Sequence, residues 1–319
     1  MAYKLDIKDM RILNELDSNA DIVINRLAKN VKVSQQVADY RMKNLMKDKV
    51  ILSTLPLIDM GKLGYSLFRT HIRFKSISEE KRKKFEDHVF KNYMCFYIGA
   101  IGGKWDSYFD IFAKSPSEFQ EKLSEIVSMF KEEIQEYETL TIIRIHVFNY
   151  KYLMNKYSTE IILNELGNEE RIDEIDSKIL LAIKTDSRTP YLRIADKVGL
   201  TRNAVKERLI KLHKRKVIVS DRLFLNPELM GKESYKLLFK LKGDEEQKKK
   251  LLDFARHNKS IIYALELMGS YQLDLEIEIE NRKELQKLLI ELRNKFPIIE
   301  DYEILSLFYD SGSDFYPIR

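Results

Sequence analysis

The chain has 319 residues, 44% of them hydrophobic and 33% charged, with a net charge of +5. That balance suits a folded protein with room for several domains and excludes a disordered or fibrous chain. Its apolar runs are too short to span a bilayer, and the opening MAYKLDIKDM lacks the apolar stretch of a secretory leader, so no membrane partner and a cytoplasmic location are expected. The one cysteine, Cys95, excludes an intrachain disulfide and reads as a small buried hydrophobe within MCFYIGAI.

Positive charge is unevenly spread. Residues 1–64 hold 11 Lys and Arg against 8 Asp and Glu, residues 172–231 hold 13 against 8, and the remainder is slightly acidic. These two basic stretches are also alike in sequence. LDIKDMRIL (5–13) aligns with IDEIDSKIL (172–180), and the same offset of 167 carries Ala28 onto Ala195, Ser34 onto Thr201, Arg41 onto Arg208, Leu45 onto Leu212 and Gly64 onto Gly231. The chain therefore reads as a tandem duplication of about half its length.

In the first copy, apolar spacing predicts helices over 7–18, 23–30 and 35–47; in the second, over 174–185, 190–197 and 202–214. The last two helices of each set form a helix-turn-helix. In the second copy, Gly199 suits the left-handed residue that ends one helix and Thr201 the N-cap of the next. In the first, Lys32 stands where Gly199 does and is strained if the left-handed conformation is kept. A short β-ribbon is expected after each set, from Val50-Ile51 through Leu57 and from Val217-Ile218 through Leu225, which makes both units winged.

The period then changes from helical to strand-like. Strands are predicted at 67–74, 94–101, 105–112 and 138–148, with helices at 78–92 and 116–136. The second copy gives strands at 234–242, 260–268, 271–280 and 299–309, with helices at 245–258 and 282–295. This βαββαβ order is ferredoxin-like, with both helices on one sheet face. The other face is rich in large apolar residues and is expected to cover the partner sheet. The fold class is thus α+β: two copies of a winged helix-turn-helix domain followed by a ferredoxin-like domain, forming an intrachain pseudo-dimer. The expected domains are 1–64, 65–153, 172–231 and 232–310. A linker at 154–171 is expected to carry a helical turn or two around 159–166, and the tail 311–319 to be irregular.

Candidate nucleic-acid contacts lie at the start of the second helix of each turn. Thr201, Arg202, Asn203, Lys206 and Lys211 in the second copy, and Ser34, Gln35, Gln36, Tyr40 and Lys43 in the first, fall on the face left free by the apolar positions. Arg, Asn and Gln side chains there match guanine and adenine edges in the major groove. Asp39 in the first copy opposes phosphate, so the second unit is expected to bind double-stranded DNA more strongly.

The motif D-x-x-[DS]-x-x-I-L, the L-A-x-x-[VL]-x-[VL]-S turn, R-x-x-x-L, the V-I pair, the LG before the first strand and G-x-[WY] in the sheet together resemble the Lrp/AsnC family of transcriptional regulators. The likeness runs nearly the whole chain, twice. It implies sequence-specific DNA binding, self-association of the pseudo-dimer and modulation by a small effector such as an amino acid. The implied effector loop reads Gly103-Lys104-Trp105-Asp106 in the first copy and Gly269-Ser270-Tyr271-Gln272 in the second. With a neutral amide in place of the carboxylate, one effector site per chain is expected.

The chemistry of other classes is weaker. GAIGGKWDS (99–107) fails as a phosphate loop because position 98 is Ile98. His71, His88, His146, His213 and His257 show no metal-ligand spacing, and there is no nucleophile elbow, so no cofactor, metal or catalytic residue is expected. Siroheme decarboxylases share the same build, but their resemblance implies an Arg- and His-rich wing and following strand. Here the wings ILSTLPLIDMGKLGY and IVSDRLFLNPELMGKES contain only Arg222 and no histidine. A protein-interaction role for the winged units is the third reading.

Overall fold

The computed structural model describes residues 3–154, 159–164, 167 and 169–318. Three helices open the chain, α1 (Ile7–Ser18), α2 (Ile24–Val31) and α3 (Gln35–Lys47), followed by strand β1 (Ile51–Ile58) and a 3-10 turn at Met60–Leu63. Asp6 caps α1 in a capping box with Asp9, which satisfies free N–H groups at the helix start. Next come β2 (Ser66–Phe74), α4 (Glu79–Asn92), β3 (Cys95–Gly102), β4 (Ser107–Ala113), α5 (Pro116–Met129), β5 (Ile134–Phe148) and a short β6 (Glu160–Leu163).

The order then repeats as α6 (Glu174–Ile183), α7 (Tyr191–Val198), α8 (Arg202–Lys214), β7 (Ile218–Leu225), β8 (Glu233–Leu241), α9 (Glu245–His257), β9 (Ile261–Met268), β10 (Leu273–Ile279), α10 (Arg282–Lys295) and β11 (Ile299–Ser313). One ionic device recurs with it. Arg41 of α3 reaches Asp6 and Asp9 at 2.8 and 2.7 Å, and Arg208 of α8 reaches Asp173 and Asp176 at 2.7 Å each. In each unit an arginine of the third helix thus clamps the start of the first.

Several expectations need correction. Among the described residues no local ribbon follows either helical unit. Instead β1 and β7 pair antiparallel with each other, Ile51 opposite Leu225 and Leu57 opposite Ser220. The cause is packing: Leu55, Leu57 and Ile58 join the core formed by Ile179, Leu180, Ile194 and Leu212, whereas Leu223 and Leu225 join that of Ile12, Leu16, Leu27 and Leu45. Each helical unit is completed by the strand of the other copy.

The expected helix 116–136 stops at Met129, and β5 begins at Ile134 after Phe130 caps the helix end. The expected helical turns around 159–166 are replaced over 160–163 by β6, which pairs with β5 from Ile145 to Phe148; Glu165 and Leu166 lie outside the described residues. The tail is shorter than expected because β11 runs on to Ser313, pairing with β3, and Phe315 and Tyr316 are buried beyond it. Phe315 packs edge-on against Phe96, and the Tyr316 hydroxyl lies 2.8 Å from Ser177 Oγ.

The two four-stranded arrays do more than face each other. They join at both edges, in the cyclic order β2-β4-β3-β11-β8-β10-β9-β5, with β5 pairing back to β2. The two 15-residue strands make the seams: β5 leaves β2 to pair with β9, and β11 leaves β8 to pair with β3. Closure removes open edges that would otherwise invite pairing with another chain. Helices α4 and α5 cover the outside through Phe85, Val89, Phe119 and Leu123, and α9 and α10 do so through Leu251, Leu285, Leu288 and Leu292.

The barrel interior is not purely apolar, contrary to expectation. Among Leu67, Tyr108, Phe112, Leu238, Leu265 and Leu305 it holds a buried ionic cluster. Arg69 binds Asp110 through two 2.7 Å hydrogen bonds and also reaches Asp274; Lys236 bridges Asp274, at 3.0 Å, and Glu276. Arg69 and Lys236 both lie over the Tyr108 ring, at 4.7 and 4.8 Å. His71 stacks beside Trp105, and burial together with the charges of Arg69 and Lys236 holds its imidazole well below the usual range, hence neutral.

Candidate nucleic-acid interface

Each candidate surface is set by the helix that precedes it. Helix α7 ends on Gly199 at φ +68°, and α2 ends on Lys32 at φ +58°, so both turns keep the left-handed residue although only one has glycine. Thr201 then caps α8 by accepting from the Ala204 N–H at 3.2 Å, and Ser34 caps α3 through the Val37 N–H at 3.2 Å. The caps start both helices at the same point relative to the buried Ala38, Met42 and Leu45 in one unit and Val205, Leu209 and Leu212 in the other.

All ten candidate residues are exposed: Ser34, Gln35, Gln36, Tyr40 and Lys43 on one unit, Thr201, Arg202, Asn203, Lys206 and Lys211 on the other. Their electrostatics differ. Lys43 is paired with Asp39 at 2.7 Å, one helical turn back, which leaves the exposed Lys47 in the last turn as the uncompensated cation of the α3 face among the described residues. Arg202, Lys206 and Lys211 have no salt-bridge partner among the described residues, so α8 presents a run of uncompensated cations.

Exposed residues not anticipated from the spacing extend both faces. Arg193 and Lys197 on α7 and Lys214 at the end of α8 add positive charge, while Val37 and Ile210 leave apolar side chains in the open, 38% and 56% exposed. The signal was present, since Ile210 lies two turns beyond Arg202 on the same stripe. An exposed isoleucine in a helix otherwise reads as core.

The two helix-turn-helix units are tied together. Arg188, in the turn before α7, donates to the carbonyls of Ala20 and Ile22 at 2.8 and 3.0 Å, and the Ser187 N–H donates to Thr54 O at 2.8 Å. Asp221 of β7 lies in this junction, where burial and the Asp21 carboxylate push it up to about 7.

The G-x-[WY] loops lie at the barrel seams. Gly103, at φ +134°, faces the second copy's β11, where an added Cβ would sit 2.8 Å from Ile304 O. Gly269, at φ +142°, faces β5, where it would sit 2.6 Å from Leu140 Cδ2. Trp105 and Tyr271 are buried at 0% and 1% exposure and serve as packing rather than as an open ligand wall. Asp106 accepts from the Phe74 N–H at 2.8 Å, and Gln272 accepts from the equivalent Leu241 N–H at 2.9 Å. The carboxylate and the amide therefore make the same backbone contact in the two copies and differ in charge alone.

This architecture defines a class: paired helix-turn-helix units carried on a β-barrel with helices outside. Residues 172–213 match the AsnC-type helix-turn-helix domain, and residues 5–51 match a winged helix-turn-helix DNA-binding domain. These segments are similar to the DNA-binding units of Lrp/AsnC-type regulators. It is 32% identical over 96 residues to the transcriptional regulator LrpA of Pyrococcus horikoshii, a match covering 30% of this chain and 65% of LrpA. It is 28% identical over 130 residues to the regulator FL11 of the same organism, covering 40% of this chain and 84% of FL11. In overall fold it is similar to the siroheme decarboxylase NirDL, with a TM-score of 0.65 over 96% of this chain and 92% of that one, at 13% identity. That likeness concerns the fold alone.

Proposed function

We propose that the chain is a sequence-specific transcriptional regulator, an intrachain pseudo-dimer that binds double-stranded DNA with α8 as its principal reader. Its working units are the helix-turn-helix segments 1–64 and 172–231, the barrel halves 65–153 and 232–313, the connection 154–171 and the tail beyond Ser313. One observation carries the reading: an AsnC-type unit whose recognition-helix face presents Arg202, Asn203, Lys206 and Lys211 exposed, the three cations without ionic partners among the described residues. Arg202 follows the N-cap, where side chains of a groove-bound helix meet base edges, and Lys206 lies one turn on, within reach of phosphate. Arg202→Ala should weaken specific binding by ~1–3 kcal/mol and relax sequence preference. Parental binding and selectivity in that variant, measured by anisotropy on selected genomic fragments, would sink the assignment.

A small effector of amino-acid type belongs to the same reading, held at the exposed Gly103-Lys104 loop by the Asp106 carboxylate, and self-association of the pseudo-dimer accompanies it. Titration calorimetry with amino acids on the parent and on Asp106→Asn checks this; binding unaffected by the change removes the site. The full-length likeness to NirDL favours a tetrapyrrole enzyme as the second reading. Against it, the sole arginine of 51–65 and 218–234, Arg222, is buried between the Tyr150 and Tyr263 rings and donates to Phe148 O. Stoichiometric uptake of an iron uroporphyrin, read by absorbance, would reverse the choice.

A further inference from the structure

We propose that the DNA element read by this chain is a composite of two unlike half-sites in one fixed order, not a palindrome: α8 reads an anchored half containing guanine followed by adenine, and α3 reads an A·T half through adenine edges and thymine methyl groups. The proposal rests on the DNA-binding reading above and specifies its ligand.

Palindromic operators follow from symmetry, because a homodimer presents the same helix twice. Here the two helices differ at the positions that face outward. At the offset of 167, Gln35 corresponds to Arg202, Gln36 to Asn203, Asp39 to Lys206, Tyr40 to Glu207 and Lys43 to Ile210. The equivalence is structural as well as sequential, since both helices start from the same cap and carry the same arginine clamp to the first helix.

The chemistry of each face selects a different edge. Arg202 matches the paired acceptors of guanine, and Asn203 matches adenine. Gln35 and Gln36 match adenine but not guanine, and the exposed Val37 and Tyr40 beside them suit the thymine C5 methyl. Because Asp39 neutralises Lys43, α3 adds less phosphate attraction than α8, chiefly from Lys47 in its last turn, and its half-site is held mainly by base contacts once α8 has anchored the chain. The order is fixed by covalent connection, by the β1–β7 pairing and by Arg188 on the Ala20 and Ile22 carbonyls, which together hold the two units as one reader.

The test is selection from randomised duplexes by the intact chain, followed by affinity measurement on synthetic sites. A non-palindromic consensus is expected. A duplex carrying the α8 half as an inverted repeat should bind roughly tenfold or more weakly than the selected site, the equivalent of one or more mismatched base pairs. The triple variant Gln35→Arg, Gln36→Asn, Asp39→Lys makes the α3 face match that of α8 and should shift selection toward an inverted repeat. An inverted repeat, or one half-site alone, selected by the parent chain overturns the composite site while leaving DNA binding intact. No enrichment at all overturns both.

Discussion

Arg69 and Asp221 are both ionisable groups taken from water, and their partners make them opposite in effect. Arg69 is 1% exposed and holds Asp110 and Asp274, themselves buried. Removing the guanidinium while keeping the volume, as in Arg69→Met, leaves the buried Asp110 without a counter-charge and Asp274 with Lys236 alone. The expected loss is about 3–5 kcal/mol, read from urea unfolding at neutral pH. Asp221 has the Asp21 carboxylate near it and is raised from 3.8 to about 7, so the folded chain prefers it protonated. A raised carboxyl contributes stability that is complete below pH 3.8 and lost as pH rises through about 7. Asp221→Asn should therefore raise the melting temperature at pH 8 and flatten its fall between pH 4 and pH 7. An unchanged profile would show that Asp221 is not the titrating group.

Among elements, the seam strands and their glycine turns carry the most information. Both Gly103 and Gly269 occupy backbone conformations that side chains rarely adopt, so alanine at either costs about 1–3 kcal/mol in strain. The neighbours differ. At Gly103 the obstacle is Ile304 O, a backbone atom of β11; at Gly269 it is the tip of Leu140, which can turn aside. Gly103→Ala should lower the melting temperature more than Gly269→Ala, and the reverse order would mean that the β5 seam is the tighter one. The glycines were visible in the sequence as turn signals, but their seam position was not, because each meets a strand from the other half of the chain.

On the scale of the whole molecule, the junction between the helix-turn-helix units decides whether they act as one reader. Arg188 supplies two charge-assisted hydrogen bonds to carbonyls of the first unit. Arg188→Ala should cost roughly 1.5–3 kcal/mol of stability. It should also weaken binding to a site spanning both units more than binding to the α8 half alone. Equal losses on the two duplexes would indicate that the units are held by β1 and β7 without help from Arg188. Salt dependence gives a separate check on the second unit: Lys206→Ala should reduce the slope of log affinity against log salt by roughly one unit if that ammonium meets phosphate.

The repeated order of elements, the helices, most strands and the outward faces of α3 and α8 were legible because each rests on local physics: a period of 3.6 or 2, a cap three residues from its N–H, a left-handed turn residue. Gly199 and Thr201 declare their turn within three positions of sequence. What the tertiary structure alone decided are pairings across the duplication, where no local signal exists. Ile51–Ile58 has an ordinary strand composition whether it folds on itself or on Ile218–Leu225. Only the burial of Leu55 and Leu57 against the second copy's helices, and of Leu223 and Leu225 against the first's, selects the exchange. Likewise Arg69, Asp110, Lys236, Asp274 and Glu276 look like solvated charges one at a time. They become an interior cluster because closing the barrel through β5 and β11 brings alternate positions of β2, β4, β8 and β10 together and lets opposite charges offset one another's loss of water.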